Sequence, residues 1–293
     1  MGDQVSDNKG IETPSGKNIK TENFPVASYL IAKALRKPIL VFYQFARSAD
    51  DIADNPQLSA EEKIKRLDFL EKLLYNPDDS GVDLAAVHLG SLIRQFKIDP
   101  AHAVNLLSAF RQDAVKSRYN NWNELINYCN HSAAPVGRFL LDLHQENSLN
   151  YVFSDALCNA LQLINHLQDC QDDYITLGRV YIPLDMVNKF QFDLQDLSKK
   201  VSPPAFLKLL HSYLDKVEEL LDIAKKLPGS LKSRRLALES AVIIELACAI
   251  TKLLRQQDVL KSHVKLSKSA SLAWAGKAVI SYGIKLILLQ MKI

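Results

Sequence analysis

The sequence predicts an all-α fold, on three observations. Apolar residues recur at helical spacing through most of the chain beyond residue 23. No run alternates convincingly with a period of two. Two of the long apolar patterns each carry a pair of aspartates four residues apart. The β-rich run 180–182 is too short to build a sheet. No internal repeat and no linker divides residues 23–293, so one helical domain around a central cavity is expected, behind a polar tail over 1–22.

Taken in order, Asn23 is a cap for a first short helix, with Pro25 in its first turn. Pro38 then opens a helix to about Ala53, since proline is tolerated at the first helical position. Ser59-Ala-Glu-Glu62 is a capping box that starts a helix to about Tyr75, with Ile64, Leu67, Leu70 and Leu74 on its apolar face. A turn cluster at 76–81 precedes helices at about 83–96 and 101–118. The pattern from Asn123 to about Gln145 contains Pro135, which should kink or split it. Ser132, Ala133, Ala134 and Gly137 around that proline permit either tight helix packing or the approach of a bulky ligand to the backbone. A helix over 151–174 ends in a loop, 176–183, that carries Arg179 and Tyr181 close behind Asp173. Helices at 204–226, 231–256 and 268–290 complete the set.

Composition narrows the function. The 293 residues are 47% hydrophobic and 24% charged, and the net charge of +3 comes with no basic stripe, so a nucleic-acid partner is not expected. The four cysteines, Cys129, Cys158, Cys170 and Cys248, form no CxxC pair and sit in apolar patterns, as expected of reduced core residues in a cytoplasmic protein. The histidines show no zinc spacing. The ten glycines form no phosphate or dinucleotide loop, which argues against a nicotinamide-dependent step. No signal peptide is visible in the first ~22 residues. The apolar end of the chain is interrupted by Lys277, Lys285 and Lys292, so a final helix packed on the core is expected, with an interfacial helix touching a membrane as the alternative.

The chemistry lies in the two aspartate stretches. In Tyr43-Gln-Phe-Ala-Arg-Ser-Ala-Asp-Asp-Ile-Ala-Asp54, Asp50 and Asp54 share one helix face, roughly 6 Å apart along the axis. Like charges at that spacing destabilise a helix, so something should compensate, and a bound cation is the obvious candidate. Asp169 and Asp173 repeat the spacing, with Asn165 one turn earlier on the same face, and Asp172 stands to them as Asp51 does to the first pair. If the helices face each other, four carboxylates line one cavity. Oxygen ligands that leave positions for water and phosphate suit Mg²⁺ and a diphosphate substrate.

These stretches resemble the squalene/phytoene synthase family. Tyr43 to Asp54 is similar to its first aspartate-rich motif. Asn165-His-Leu-Gln-Asp-Cys-Gln-Asp-Asp173, followed by Gly178-Arg-Val-Tyr-Ile-Pro183, is similar to the second, and 128–137 resembles the segment between them; the resemblance spans about 20–260. Glu22-Asn-Phe-Pro-Val-Ala-Ser28, Phe110-Arg-Gln-Asp113 and Pro135-Val-Gly-Arg138 are similar to the hydroxysqualene synthase branch, which acts on presqualene diphosphate in the bacterial route to squalene and hopanoids. Gln168, where condensing members carry an arginine, fits the same branch.

The resemblance implies an isoprenoid-synthase-like helical bundle. It also implies Mg²⁺ held at Asp50, Asp54, Asp169, Asp173 and Asn165, and diphosphate contacts from Arg47, Tyr43, Arg179 and Tyr181. Phe24, Tyr128, Ala133 and Val136 would line a prenyl pocket, with Tyr128 also a catalytic candidate; Asp113 and Tyr128 are the candidates for placing a water. A prenyl diphosphate is the implied partner, with peripheral membrane contact and pathway enzymes before and after the step as further expectations. A head-to-head prenyltransferase and a non-catalytic family member are the alternatives.

Overall fold

A computed structural model describes residues 28–76 and 83–290, and every regular element among them is helical. The chain runs through α1 (Lys33–Asp54), α2 (Ala60–Tyr75), α3 (Leu84–Phe96), α4 (Ala101–Asp113), α5 (Trp122–Ser132), α6 (Ala134–Leu143) and α7 (Tyr151–Gln168). There follow the single turn α8 (Cys170–Asp172), a π-helical turn over Asp173–Leu177, α9 (Leu184–Lys189), α10 (Pro204–Ala224), α11 (Leu227–Ser230), α12 (Arg234–Gln256) and α13 (Lys268–Gln290). The expected tail over 1–22, the short helix from Asn23 with Phe24, and most of the 76–81 turn cluster lie outside the described residues.

Local chemistry accounts for several helix starts. The Ser59 hydroxyl accepts the Glu62 N–H at 3.2 Å, the bond a capping box requires. Asp83 caps α3 by accepting from the Ala85 and Ala86 N–H groups at 2.8 and 3.0 Å. Asn121 caps α5 and Ser233 caps α12 in the same way. One start differs from expectation. Helix α1 begins at Lys33, so Pro38 lies in its second turn, buried, rather than at its first position. A proline there forfeits one backbone hydrogen bond, and burial of Ile39, Phe42 and Phe45 on the same helix holds the segment helical regardless.

Two ends also differ. The helix expected over 101–118 stops at Asp113, because the chain turns so that the Ser117 carbonyl can accept the Val180 N–H at 3.0 Å. The second aspartate helix is interrupted at Asp169, where ψ rises to 4°, and then finishes in a π-helical turn capped by Gly178 at φ +63°. Pro135 splits its segment at Ala133 into α5 and α6, as proline inside a helical pattern should.

Helix α7 is the axis of the molecule. On one side a core forms with α10 and α12 around Leu163, Phe206, Tyr213 and Ile250. On the other, α1 to α4 and α6 enclose Phe45, Leu67, Leu89 and Phe139, with Phe42 and Phe139 stacked at 4.0 Å between centroids. Each such side chain, fully buried, contributes about 1.5–3 kcal/mol. Gly137 brings α6 hard against α7: a Cβ there would lie 2.2 Å from Ser154 Oγ and 2.7 Å from Cys158 Sγ. The C-terminal helix α13 packs Ala278 and Trp274 on Val242 and Leu246 of α12 and leaves its opposite face in solvent. No helix among the described residues is long and apolar enough to cross a membrane.

Candidate active site

The ends of α1 and α7 face each other across a cavity of about 450 Å³. Helix α1 contributes Arg47, Asp50 and Asp54; α7 and the turn after it contribute Gln162, Asn165, His166, Asp169 and Asp173. Phe110 and Asp113 enter from α4, Tyr128 and Ser132 from α5, Arg179 and Tyr181 from the following loop, and His263 from the segment between α12 and α13.

Two arginines compensate the clustered carboxylates on α1. Arg47 pairs with Asp50 at 2.8 Å and with Asp51 at 3.0 Å. Burial works against its charge, but Asp50 and Asp51 more than offset this and hold its pKa above the usual value. Arg179 places Nη1 at 2.5 Å from Asp54 Oδ1 and donates from Nη2 to the Ala53 carbonyl at 3.1 Å. Guanidinium groups of the chain itself thus offset part of the repulsion among these carboxylates. His263 Nδ1 stands 3.7 Å from Asp169 Oδ1 on the opposite wall.

Below the carboxylates lies an aromatic floor built on Asp113. Its carboxylate accepts from the Tyr128 hydroxyl at 2.7 Å and from the Tyr181 hydroxyl at 3.2 Å. Burial pushes the Asp113 pKa up to about 6, against the lowering effects of Arg179 and the tyrosine bonds. His166 stacks on Tyr181 with centroids 3.6 Å apart, and Tyr119 also stacks on Tyr181, at 5.7 Å. Desolvation raises the Tyr128 and Tyr181 hydroxyls well above the ordinary tyrosine range, so both remain proton donors.

A second cavity, of about 320 Å³, adjoins the first and is lined mainly by apolar side chains, among them Ile31, Ile39, Phe42, Leu157, Leu161 and Ile243. Ser132, Gln162 and Asn165 line both cavities and therefore mark their junction. At the far wall Glu239 is buried, accepts a hydrogen bond from Ser28 at 2.5 Å, and is held above its usual pKa by burial.

Of the residues singled out from the sequence, Asp50, Asp54, Asp169, Asp173, Asn165, Arg47, Arg179 and Tyr181 all line the polar cavity, while Ala133 and Val136 line the apolar one. Tyr43 lines the apolar cavity while staying close enough to Arg47 to favour its charge, so it stands beside Arg47 as expected. Tyr128, expected both among the prenyl contacts and as a catalytic candidate, lines the polar cavity, since its hydroxyl is drawn to the buried Asp113. Phe24 lies outside the described residues. Gln168 does not reach either cavity: its side-chain amide donates to the Val264 carbonyl at 2.5 Å.

Sequence reasoning missed His166, Gln162 and His263 as site residues. Gln162 lies one helical turn before Asn165 and could have been found by extending that face backwards. His166 lies four residues after Gln162 and three before Asp169, so the same face would have included it as well. For His263 no spacing signal exists, since its place depends on the fold of a segment 94 residues beyond Asp169.

The donor set suits a hard divalent cation, since it is dominated by carboxylate and amide oxygens and contains no thiolate. Among the described residues no three acidic, histidine or cysteine side chains converge as a ready-made cage. Mg²⁺ does not require one: it keeps several waters and binds through one or two carboxylates together with substrate phosphate. Paired carboxylates on two facing walls fit that mode.

The comparisons with known proteins agree with one another. The family model described as squalene/phytoene synthase matches residues 19–270. The chain is 44% identical over 255 residues to the hydroxysqualene synthase of Rhodopseudomonas palustris, covering 87% of each. It is 37% identical over 261 residues to that of Zymomonas mobilis, covering 89% of this chain and 88% of the other. A squalene synthase structure from Alicyclobacillus acidocaldarius superposes with a TM-score of 0.70 at 27% identity, covering 79% of this chain and 87% of that one. A dehydrosqualene synthase structure shares the fold, with a TM-score of 0.77 at 23% identity over 88% of this chain and 90% of that one.

Proposed function

The chain belongs to the squalene/phytoene synthase family, and we propose that it is a hydroxysqualene synthase, converting presqualene diphosphate and water to hydroxysqualene and diphosphate. The observation that carries this reading is the pairing of cavities: a polar one with five carboxylates (Asp50, Asp54, Asp113, Asp169 and Asp173) and two arginines meets an apolar one at Ser132, Gln162 and Asn165. A diphosphate joined to a long hydrocarbon is the ligand such a pair accommodates. The identity of 44% to a hydroxysqualene synthase over 87% of the chain supports the reaction.

In this reading Asp50, Asp54, Asn165, Asp169 and Asp173 would hold Mg²⁺, which would supply Lewis-acid neutralisation of the charge on a departing diphosphate. Arg47 and Arg179 exchange part of their carboxylate contacts for diphosphate oxygens, to which a guanidinium gives strong, directional hydrogen bonds. Tyr181 and His166 form a flat wall beside the diphosphate. Tyr128 is fixed by Asp113 and turns its ring toward the reacting centre, where an aromatic face stabilises positive charge. Ala133, Val136 and Tyr43 contribute to the prenyl pocket, which shields the cation from bulk water.

Residues 23–293 work as one domain in this reading, and the protein contacts a membrane from which so apolar a substrate is drawn. The face that would make this contact is the outer side of α13, where Leu272 is 75% and Ile280 65% exposed and every charged side chain after Asp258 is a lysine.

The test is a product assay. Purified protein with presqualene diphosphate and Mg²⁺, without nicotinamide, is expected to yield hydroxysqualene, and chelation is expected to abolish it. Failure to consume presqualene diphosphate, with conversion of farnesyl or geranylgeranyl diphosphate to a condensed product, would assign the protein to the prenyltransferase reaction instead.

A further inference from the structure

Hydroxyl groups inside helices usually satisfy themselves by bonding back to the carbonyl four residues earlier. Ser240 and Thr251 do so here, at 2.9 and 2.8 Å. Ser132 does not. Its Oγ is buried and has no hydrogen-bond partner among the described residues. It is the last residue of α5, immediately before the break at Ala133 that Pro135 enforces. It also lines both cavities. A buried hydroxyl without a partner is destabilising, and such an atom in a natural protein calls for a specific reason. Its position at the meeting point of diphosphate and hydrocarbon sites supplies one.

Gln162 faces the same junction from α7. Its Nε2 is directed at His166 Nε2, 3.3 Å away, so the amide oxygen is the group it has for a water. A buried water needs two to four polar partners. Ser132 and Gln162 provide both a donor and an acceptor where the polar lining ends.

We propose that Ser132, with Gln162, is the positioning residue for the water that captures the carbocation, and so decides that the product is an alcohol. This deepens the functional reading above and rests on it. Departure of diphosphate breaks the carbon–oxygen bond, with both electrons leaving on oxygen. The cyclopropane carbon–carbon bonds of the resulting cation then rearrange and the ring opens, and a lone pair of the held water forms the new carbon–oxygen bond. The proton that this water loses passes to an oxygen of the released diphosphate, on the polar side of the junction. No oxidant or reductant takes part. Without a held water, the cation instead loses a proton from carbon to the same diphosphate and leaves as a C30 hydrocarbon.

The test compares wild type, Ser132→Ala and Ser132→Thr with presqualene diphosphate and Mg²⁺, measuring hydroxysqualene, other C30 products and diphosphate released. For Ser132→Ala the hydroxysqualene formed per diphosphate is expected to fall roughly tenfold or more, as expected when a reactant is no longer held in position, with hydrocarbon making up the difference. Ser132→Thr keeps a hydroxyl and is expected to restore most of the alcohol. The thermal midpoint of Ser132→Ala is expected at or above that of wild type. An unchanged alcohol share in Ser132→Ala, whatever its total rate, would overturn the proposal while leaving the functional reading intact. Wild type that releases diphosphate but makes no hydroxysqualene would overturn the functional reading and this role with it.

Discussion

Arg179 reaches back across 125 residues of sequence to place its guanidinium 2.5 Å from the Asp54 carboxylate, joining the loop after the second aspartate motif to the end of the first. The same side chain donates to the Ala53 carbonyl at 3.1 Å, so both outer nitrogens are engaged by the end of α1. Closure of the polar cavity therefore depends on a two-point contact that a single ammonium cannot copy.

Arg179→Lys is accordingly expected to be far from conservative. It keeps the charge but loses one of the two contacts. Diphosphate release should fall roughly 10- to 100-fold, and stability by about 1–3 kcal/mol. Steady-state diphosphate release and urea unfolding measure the two effects, and wild-type values in both would rule out this role.

Asp113 makes stability depend on pH in a defined direction. Burial pushes its pKa up to about 6, so the folded state holds the proton more tightly than the unfolded chain, whose carboxyl titrates near its ordinary value of 3.8. Its contribution is therefore fully present below about pH 4, falls as pH rises through the folded pKa, and levels off above about pH 7. A difference of about two pKa units corresponds to about 3 kcal/mol. Asp113→Asn cannot titrate. Relative to wild type it should gain up to about 3 kcal/mol between pH 4 and pH 7. Urea unfolding across that range checks this, and a constant difference would contradict it.

Gly137 is required by packing. A methyl group there would lie 2.2 Å from Ser154 Oγ and 2.7 Å from Cys158 Sγ, so α6 and α7 would have to separate. Gly137→Ala should cost about 1–3 kcal/mol despite alanine's better helix propensity. The same separation would move Ala133 and Val136 in the apolar cavity wall, so substrate KM should rise together with the loss of stability. A thermal midpoint equal to wild type would show that the interface yields.

Membrane contact through α13 is open to a direct test. Leu272, Ile280 and Ile284 are 75%, 65% and 54% exposed and fall along one stripe of the helix. The charged side chains of the segment are lysines. Flotation with anionic phospholipid vesicles should carry the protein upward, and Leu272→Glu/Ile280→Glu should reduce the bound fraction roughly tenfold. Equal flotation of the double variant would locate the contact elsewhere.

How much of this could be read from the sequence follows the range of the interactions. Asp50 with Asp54, and Asp169 with Asp173, were legible because helical periodicity alone puts residues four apart on one face. Ser59 was legible as a cap because its partner, Glu62, is three residues away. The all-helical fold followed from the same short-range periodicity. Pro38 misled, because its local preference for a helix start is weaker than the burial of Ile39, Phe42 and Phe45 that continues the helix through it. Arg179 could be placed near Asp173 by proximity in sequence, but its grip on Asp54 spans the fold. Gln168 could be noticed as unusual without any means of seeing that it serves the Val264 carbonyl. The isolation of the Ser132 hydroxyl is a property of packing and leaves no trace in the residue pattern.

The central claim is that the two aspartate walls act as one unit on a single diphosphate. The most direct measurement is Mg²⁺-dependent diphosphate release from presqualene diphosphate by wild type, Asp50→Asn, Asp169→Asn and the double variant. Groups acting as a unit are strongly non-additive. Each single change should therefore lower the rate by about 10²–10³, and the double variant should be little worse than either single one. Near-wild-type release by either single variant, or losses that multiply in the double variant, would contradict the account, because the two walls would then not be serving the same leaving group.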